Sequence, residues 1–376
     1  MILLPGLAAM GYVTWRGAQA LFTRRWQRVS AVSVALLIFF LGRFLPGGTG
    51  AVLDIASAGC MVMLPCLLLV VLFFDALRFA HRCRPFFPAW VTQHYVCTKR
   101  LVLGLTLGAV AALLLHGYGN YAHPVTTPAV VRLEKSGGSR NAVRIAIASD
   151  IHLGTLNGKK RLAENVAQIN AIGADLILLP GDIVDRSLRP LIEQDMAAEL
   201  SRLRAPLGVY AVLGNHEVFA ESQACADYLE RCGIRVLRDE AVLVGGDFYL
   251  VGRKDRRERP ARKSLEEVMR GVDRSKPVLL MDHQPVALAE GAAQGVDLQL
   301  SGHTHNGQVW PMNWIVYFLY EVAHGHGRHG AMQIYVTSGL GLWGFPARIG
   351  SVSEVVDMRV EFAAPRTDGT DEKSRP

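Results

Sequence analysis

The sequence predicts two parts of different class: a bundle of three or four membrane-spanning helices over residues 1–123, then an α/β domain with mixed sheets over residues 124–363. A polar tail at 364–376 is expected to be disordered. Three observations predict this division. Half of the 376 residues are hydrophobic, and the long uncharged runs lie in the first third. After residue 124, short apolar runs of strand length alternate with runs of helical periodicity. Charge divides the same way. Residues 1–120 carry ten Lys/Arg against two acids, and the remainder carries 30 bases against 31 acids. The basic isoelectric point therefore belongs to the N-terminal part, and nucleic-acid binding is not implied.

Taken in order, the candidate spans start with residues 1–15, where basic residues follow the apolar run instead of preceding it, unlike a cleaved signal peptide. Residues 29–46 are apolar apart from Arg43, which can snorkel at one end. "IASAGCMVMLPCLLLVVLFF" (55–74) has no charge over a length that spans a bilayer core, for which about 20 apolar residues suffice. "LVLGLTLGAVAALLLH" (101–116) is extended by "GYGNYA". The competing reading is of buried core helices. Arg16, Arg24, Arg25 and Arg28 lie between the first two spans, and Arg78, Arg82, Arg84, Lys99 and Arg100 between the last two. The positive-inside rule makes both loops cytoplasmic and places everything after residue 120 on the other side. Cys225 and Cys232 fall on one expected helix, about 10 Å apart and too far for a disulfide.

"HPVTTPAVV" after Tyr121 reads as an exit linker. The runs at 143–149, 175–180, 208–213, 277–282 and 296–301 read as buried strands, and "KRLAENVAQINAI", "LIEQDMAAELSRL" and "CADYLERC" as helices between them. "IRVLRDEAVLVGGDFYLVGR" reads as strand, turn, strand, so part of the sheet structure is antiparallel.

Ligands of open α/β sheets bind beyond the carboxyl ends of strands. There this sequence places Asp150 and His152 ("SDIH"), Asp182 and Asp185 ("GDIVD"), Asn215, His216 and Glu217 ("GNHE"), His283 ("DHQP"), and His303 and His305 ("GHTH"). Seven candidate donors among these ten residues, of mixed oxygen and nitrogen type, exceed the three or four of a mononuclear zinc site. They suffice for two ions if one carboxylate bridges. The set suits manganese, iron, zinc or cobalt without choosing among them. Two such ions, roughly 3.5–4 Å apart, clamp the oxygens of an in-line phosphoryl displacement.

Asp-x-His, Gly-Asp-x-x-Asp, Gly-Asn-His-Glu, His and Gly-His-x-His, in that order over about 143–357, resemble the calcineurin-like metallophosphoesterases. "VDLQLSGHTHNGQVWP" and "YVTSGLGLWGFPARIG" resemble the bacterial branch with membrane spans ahead of the catalytic domain. The resemblance implies a four-layer αββα sandwich of two mixed sheets. It implies that Asp150, His152 and His305 bind a first ion, that Asn215, His283 and His303 bind a second, and that Asp182 bridges both. It further implies attack by a metal-held hydroxide, His216 as general acid to the leaving oxygen, and Asp185 as its orienting partner. Asp185 as an ordinary helix cap remains an open alternative.

Other features carry two readings each. "HGHGRHG" (324–330) reads as an exposed loop in preference to a further metal cluster. Arg348 is open between phosphate contact and structural pairing. The run "RKDRRERPARK" (253–263), with seven bases and two acids, reads as a solvated loop, or else as a contact for anionic head groups. "VWPMNWIVYFLY" (309–320) reads as core packing, with a membrane-facing rim as the alternative. The expected function is hydrolysis of a phosphodiester or pyrophosphate bond, with a lipid-linked phosphate ester as the favoured substrate and the lipid bilayer as partner. The rival readings are a UDP-2,3-diacylglucosamine-type pyrophosphatase, a phosphoprotein or monoester phosphatase, and a non-catalytic membrane receptor.

Overall fold

The structure, a computed structural model, describes residues 3–44 and 51–363; the expected tail at 364–376 lies outside the described residues. The chain divides into two compact units. Met1–Gly119 with Gly344–Ile349 form one, and Asn120–Trp343 with Gly350–Pro376 form the other.

The first unit is helical, with long helices at Leu3–Leu21, Arg25–Phe44, Ala51–Cys83 and Tyr95–Ala122. Among the described residues, two segments are long and apolar enough to cross a membrane, Met63–Cys83 and Tyr95–Ala122. The expected bundle of three or four spans is thus supported among the described residues at two of its segments. Leu3–Leu21 and Arg25–Phe44 are helices too, but Arg16, Arg25, Arg28 and Arg43 dilute their hydropathy. Asp75 inside Met63–Cys83 is paired with Arg16 and accepts from the Tyr12 hydroxyl. Arg348 is fully buried in the Gly344–Ile349 segment, where its backbone N–H donates to Gly117 O (2.9 Å).

Among the described residues, the second unit contains twelve strands: β1 (Val125–Ser136), β2 (Ala142–Ile147), β3 (Leu176–Pro180), β4 (Val209–Val212), β5 (Arg235–Val236), β6 (Glu240–Val244), β7 (Phe248–Gly252), β8 (Val278–Met281), β9 (Leu298–Ser301), β10 (Gly325–His329), β11 (Met332–Val336) and β12 (Glu354–Ala363). They form two six-stranded sheets, ordered β1-β12-β2-β3-β4-β5 and β10-β11-β9-β8-β7-β6. Both are mixed. In the first, β12 runs antiparallel to β2 while β2, β3, β4 and β5 are mutually parallel. In the second, the parallel series β7, β8, β9, β11 is flanked by antiparallel β6 and β10.

Side-chain alternation across these strands builds three apolar layers. Ile145, Leu176, Leu178 and Met358 of the first sheet meet Leu250, Leu279, Leu298 and Leu300 of the second in the middle layer. Ile177 and Leu179 face Leu162, Val166 and Ile169 of helix Lys159–Ala171. Val278 and Leu280 face Leu265, Val268 and Leu288 on the far side. The arrangement is helices, sheet, sheet, helices. Its consequence for function is that β2, β3 and β4 end side by side, as do β8 and β9.

Several expectations are corrected. The "HPVTTPAVV" segment is not a linker but the start of β1, a twelve-residue edge strand parallel to β12, in register from Val125 with Glu354. "HGHGRHG" is not a loop but contains β10, an edge strand of the second sheet, with His326 on Gln333 and His324 on Glu354. "LIEQDMAAELSRL" is broken into Arg189–Glu193 and Ala197–Leu200, with Asp195 between them at φ 49°. The 253–263 run is not simply solvated. Arg253 is buried on Glu290 (2.7 Å), Arg262 pairs with buried Asp282 (2.9 Å), and Arg238 pairs with Glu258. The 309–320 segment is core only at its start: Val309 is buried, but in helix Met312–Leu319 only Asn313 is.

Candidate metal centre

The tight turns after β2, β3 and β9 deliver the first donors. Asp150, His152, Asp182, His303 and His305 all hold positive φ, between 49° and 70°, a backbone state uncommon for such residues. Such strain collects at functional sites and is maintained by surrounding structure. Here that structure is a lattice of backbone bonds. Asp150 N–H donates to Gly181 O, and His152 N–H to Asp182 O, each at 3.0 Å, which couples the first two turns. The His303 N–H reaches both Asp150 carboxylate oxygens at 3.0 Å. Gly302 must be glycine, because a β-carbon there would collide with Asp150 and Ser149.

The side chains then converge. Asp150, His152 and His305 offer donor atoms within 4.8 Å of one another, and so do Asp182, His283 and His303. A third grouping, His152, Asp182 and His216, overlaps both. Asp182 Oδ2 is the hinge of the arrangement, at 3.2 Å from His283 Nε2 and 3.8 Å from His152 Nε2. His152 Nε2 and His305 Nε2 face each other at 3.1 Å, and His305 Nε2 is 3.3 Å from Asp150 Oδ1. Asn215 opens helix Asn215–Phe219 and is buried, with no hydrogen-bond partner for its Oδ1.

These donors fit divalent ions. His283 Nδ1–H donates to Pro180 O (2.8 Å), which fixes the tautomer and aims Nε2 inward, where that atom is buried without a hydrogen bond. The unpartnered Asn215 Oδ1, and the His283 Nε2 that faces Asp182 Oδ2 at 3.2 Å, are buried donor atoms that a cation would take up, displacing any proton on Nε2.

The protein's own charges are distributed in keeping with this. Burial pushes the Asp182 carboxyl up, but His283, His152 and His216 more than reverse it, leaving Asp182 ionised. Burial opposes charge on His283, yet Asp182 and Asp150 raise it well above the ordinary imidazole value. Burial, with the charge of His283, brings His303 down to about 3, so its lone pair is free at neutral pH. Burial raises Asp150.

His216 stands beside this cluster. Its N–H donates to Asp182 Oδ1 (2.8 Å) and its Nδ1–H to Asp185 Oδ1 (2.6 Å), leaving Nε2 free. Burial pushes the Asp185 carboxyl up, while His152 at 3.8 Å and the His216 hydrogen bond pull it far below the usual range. Asp185 caps no helix; it holds an imidazole.

Two residues without an assigned role hold the centre together. Glu217 is fully buried and accepts N–H bonds from Asp182 (3.2 Å), Val184 (2.7 Å) and Gly214 (2.7 Å), tying the turn after β3 to the turn after β4. Asn157 donates to His152 O (2.9 Å) and Leu342 O (3.1 Å) and accepts from the Tyr121 hydroxyl (2.6 Å). The signal for Glu217 was its place three residues into a helix after a glycine, the capping position. Nothing local marks Asn157.

The model of the calcineurin-like phosphoesterase family matches residues 143–307. An uncharacterized metallophosphoesterase of Helicobacter pylori (strain ATCC 700392 / 26695) is 30% identical over 265 residues, 69% of this chain and 70% of that protein. The transmembrane protein with metallophosphoesterase domain of Danio rerio is 30% identical over 281 residues, 70% of this chain and 63% of that protein. The chain thus spans about two thirds of the length of these relatives. Among solved structures, TT1561 of Thermus thermophilus is 14% identical, covers 52% of this chain and 88% of its own, and has a TM-score of 0.36, too low to add to the fold read from the sheets. By the ordered donors, the paired mixed sheets and these relatives, the chain belongs to the calcineurin-like metallophosphoesterase family.

Proposed function

We propose that the chain is a membrane-anchored, dinuclear metal-dependent hydrolase of phosphodiester or pyrophosphate bonds. The observation that carries the reading is Asp182 Oδ2, which lies between His283 of one donor group and His152 of the other. In this reading Asp150, His152 and His305 hold one divalent ion, Asn215, His283 and His303 hold the second, and Asp182 is shared. Bound ions supply Lewis acidity and an activated water for in-line displacement. The chain's own residues do the rest. His216 donates a proton from Nε2 to the leaving oxygen, and Asp185, ionised and bonded to Nδ1, holds that ring in place. Gly302 and Glu217 keep the turns at their separation.

The anchor is supported by Met63–Cys83 and Tyr95–Ala122 and by the name of the Danio rerio relative. The arginine-rich loops favour a multi-pass arrangement in the cytoplasmic membrane with the domain on the extracytoplasmic side. That side disfavours a nucleotide-activated lipid precursor and favours a lipid-linked phosphate ester. The test is turnover by the manganese-loaded full chain of an aryl phosphodiester against its monoester. Diester turnover lost in Asp182→Asn, and greatly slowed in His216→Ala, is expected; a monoester preference would replace the diesterase reading with a phosphatase.

A further inference from the structure

Helix Met312–Leu319, "MNWIVYFL", is apolar nearly all round, yet Asn313 is its one buried residue. Trp314 is 68% exposed and Phe318 89%, and Met312, Ile315, Tyr317 and Leu319 are exposed as well. A helix this apolar is ordinarily buried in a core or set against lipid. Contiguous apolar surface of this kind marks an interaction site.

Both ends of the helix are fastened to the turn that carries His303 and His305. At the start, Asn313 donates to Asn306 O (2.6 Å) and Gly350 O (3.0 Å). At the end, the capping residue Tyr320 sets its ring edge-on to His303, 6.2 Å between centroids. Phe219, 58% exposed, stands 6.2 Å from the His216 ring on another side of the cluster. The apolar surface therefore borders the metal centre.

Positive charge lies next to it. The 253–263 segment is clamped on both sides of His283, by Arg262 on Asp282 (2.9 Å) and by Gln284 on Asp255 (2.6 Å). That clamping leaves Arg256, Arg257 and Arg259 exposed. Arg257 lies within electrostatic reach of Tyr320, the residue that caps the helix. Tryptophan and tyrosine beside apolar side chains, with arginines adjacent, are what the bilayer interface selects, the rings at head-group depth and the cations on anionic phosphates.

The chain itself names the occupant. Only His123 and Pro124 separate helix Tyr95–Ala122 from β1, so a span formed by that helix delivers the domain to the bilayer surface within a few residues. We infer that helix Met312–Leu319 is a bilayer-docking element, inserted shallowly among anionic lipids beside the metal centre, so that an amphiphilic phosphate ester reaches the site without leaving the membrane. This rests on the reading of the chain as a membrane-anchored hydrolase and adds the element by which its substrate is presented.

The test uses the full chain in liposomes of phosphatidylcholine and phosphatidylglycerol brominated high on the acyl chain. The emission difference between the native chain and Trp314→Phe isolates Trp314 from the other five tryptophans. The inference predicts blue-shifted Trp314 emission, most of it lost to the brominated lipid. In Phe318→Glu, quenching of Trp314 falls while turnover of a soluble aryl phosphodiester is retained. Water-exposed, unquenched Trp314 emission overturns the inference. So does blue-shifted emission that bromine does not quench, which would assign the helix to a second copy or another protein. Turnover is read on the same liposomes, so quenching without turnover sinks the hydrolase reading alone, and turnover without quenching sinks the docking alone.

Discussion

Replacing Glu217 by glutamine separates the holding of metal from the holding of the fold. The carboxylate is fully buried, and burial together with the charge of Asp182 pushes it up to about 7 from an ordinary 4.5. Keeping it ionised without cations nearby therefore costs roughly 3 kcal/mol, at about 1.4 kcal/mol for each tenfold step in proton affinity. Glutamine removes that cost. It also sacrifices an acceptor. With its carbonyl set where Oε2 receives Asp182 and Gly214, its amide meets the Val184 N–H, and a buried donor left unpaired costs about 1–3 kcal/mol. The two effects largely offset, so the metal-free stability of Glu217→Gln should lie between that of the native chain and about 2 kcal/mol above it. Metal binding has no such compensation. Groups that orient ligands typically contribute 10–100-fold in affinity, so the added stability on saturating manganese should shrink by about 1.4–2.7 kcal/mol. Denaturant unfolding with and without manganese, beside calorimetric affinity, measures both quantities. A large loss of metal-free stability with unchanged metal affinity would refute the reasoning and make Glu217 purely structural.

Three further outcomes follow from the geometry. Burial pushes Glu354 up, but hydrogen bonds from His324, Thr127 and Ser338 hold it at about 2, against an ordinary 4.5. Its ionised form therefore adds up to roughly 3 kcal/mol above pH 4.5, lost as the pH falls through about 2; the stability gap between the native chain and Glu354→Gln should narrow over that window, and a constant gap would contradict it. Burial opposes charge on His283, but Asp182 and Asp150 raise it well above the ordinary imidazole value, so metal binding should release a proton, seen as a binding heat that varies with the buffer's ionisation heat. A buffer-independent heat would show that His283 is already neutral. Finally, Gly302→Ala sets a methyl group against Asp150 and Ser149, and should cost about 1–3 kcal/mol in stability and most of the bound metal; native metal content in that variant would remove the steric argument.

The centre of the fold was legible because its strands are short apolar runs buried on both faces. Leu176–Pro180 is wholly buried, and such runs announce themselves. Donors placed directly after those runs were legible for the same reason. The edges were not. β1 carries Pro128, and β10 is glycine and histidine alternating with arginine, compositions an edge strand tolerates and a central one does not. Read locally, they are linker and loop. The basic 253–263 run misleads in another way: its partners Asp282 and Glu290 lie 20 or more residues away, so the pairing that buries Arg253 leaves no local trace. Helix Met312–Leu319 shows the limit of hydropathy, which reports that a segment avoids water and not whether protein or lipid covers it.

The most direct test of the shared-carboxylate centre is the number of ions held by the full chain after saturation with manganese and dialysis, measured by elemental analysis against protein concentration. Two ions per chain, reduced in Asp182→Asn by weakened binding at both positions, is the expected result. One ion per chain, retained when Asp182 becomes asparagine, would contradict a centre in which that carboxylate joins two donor groups.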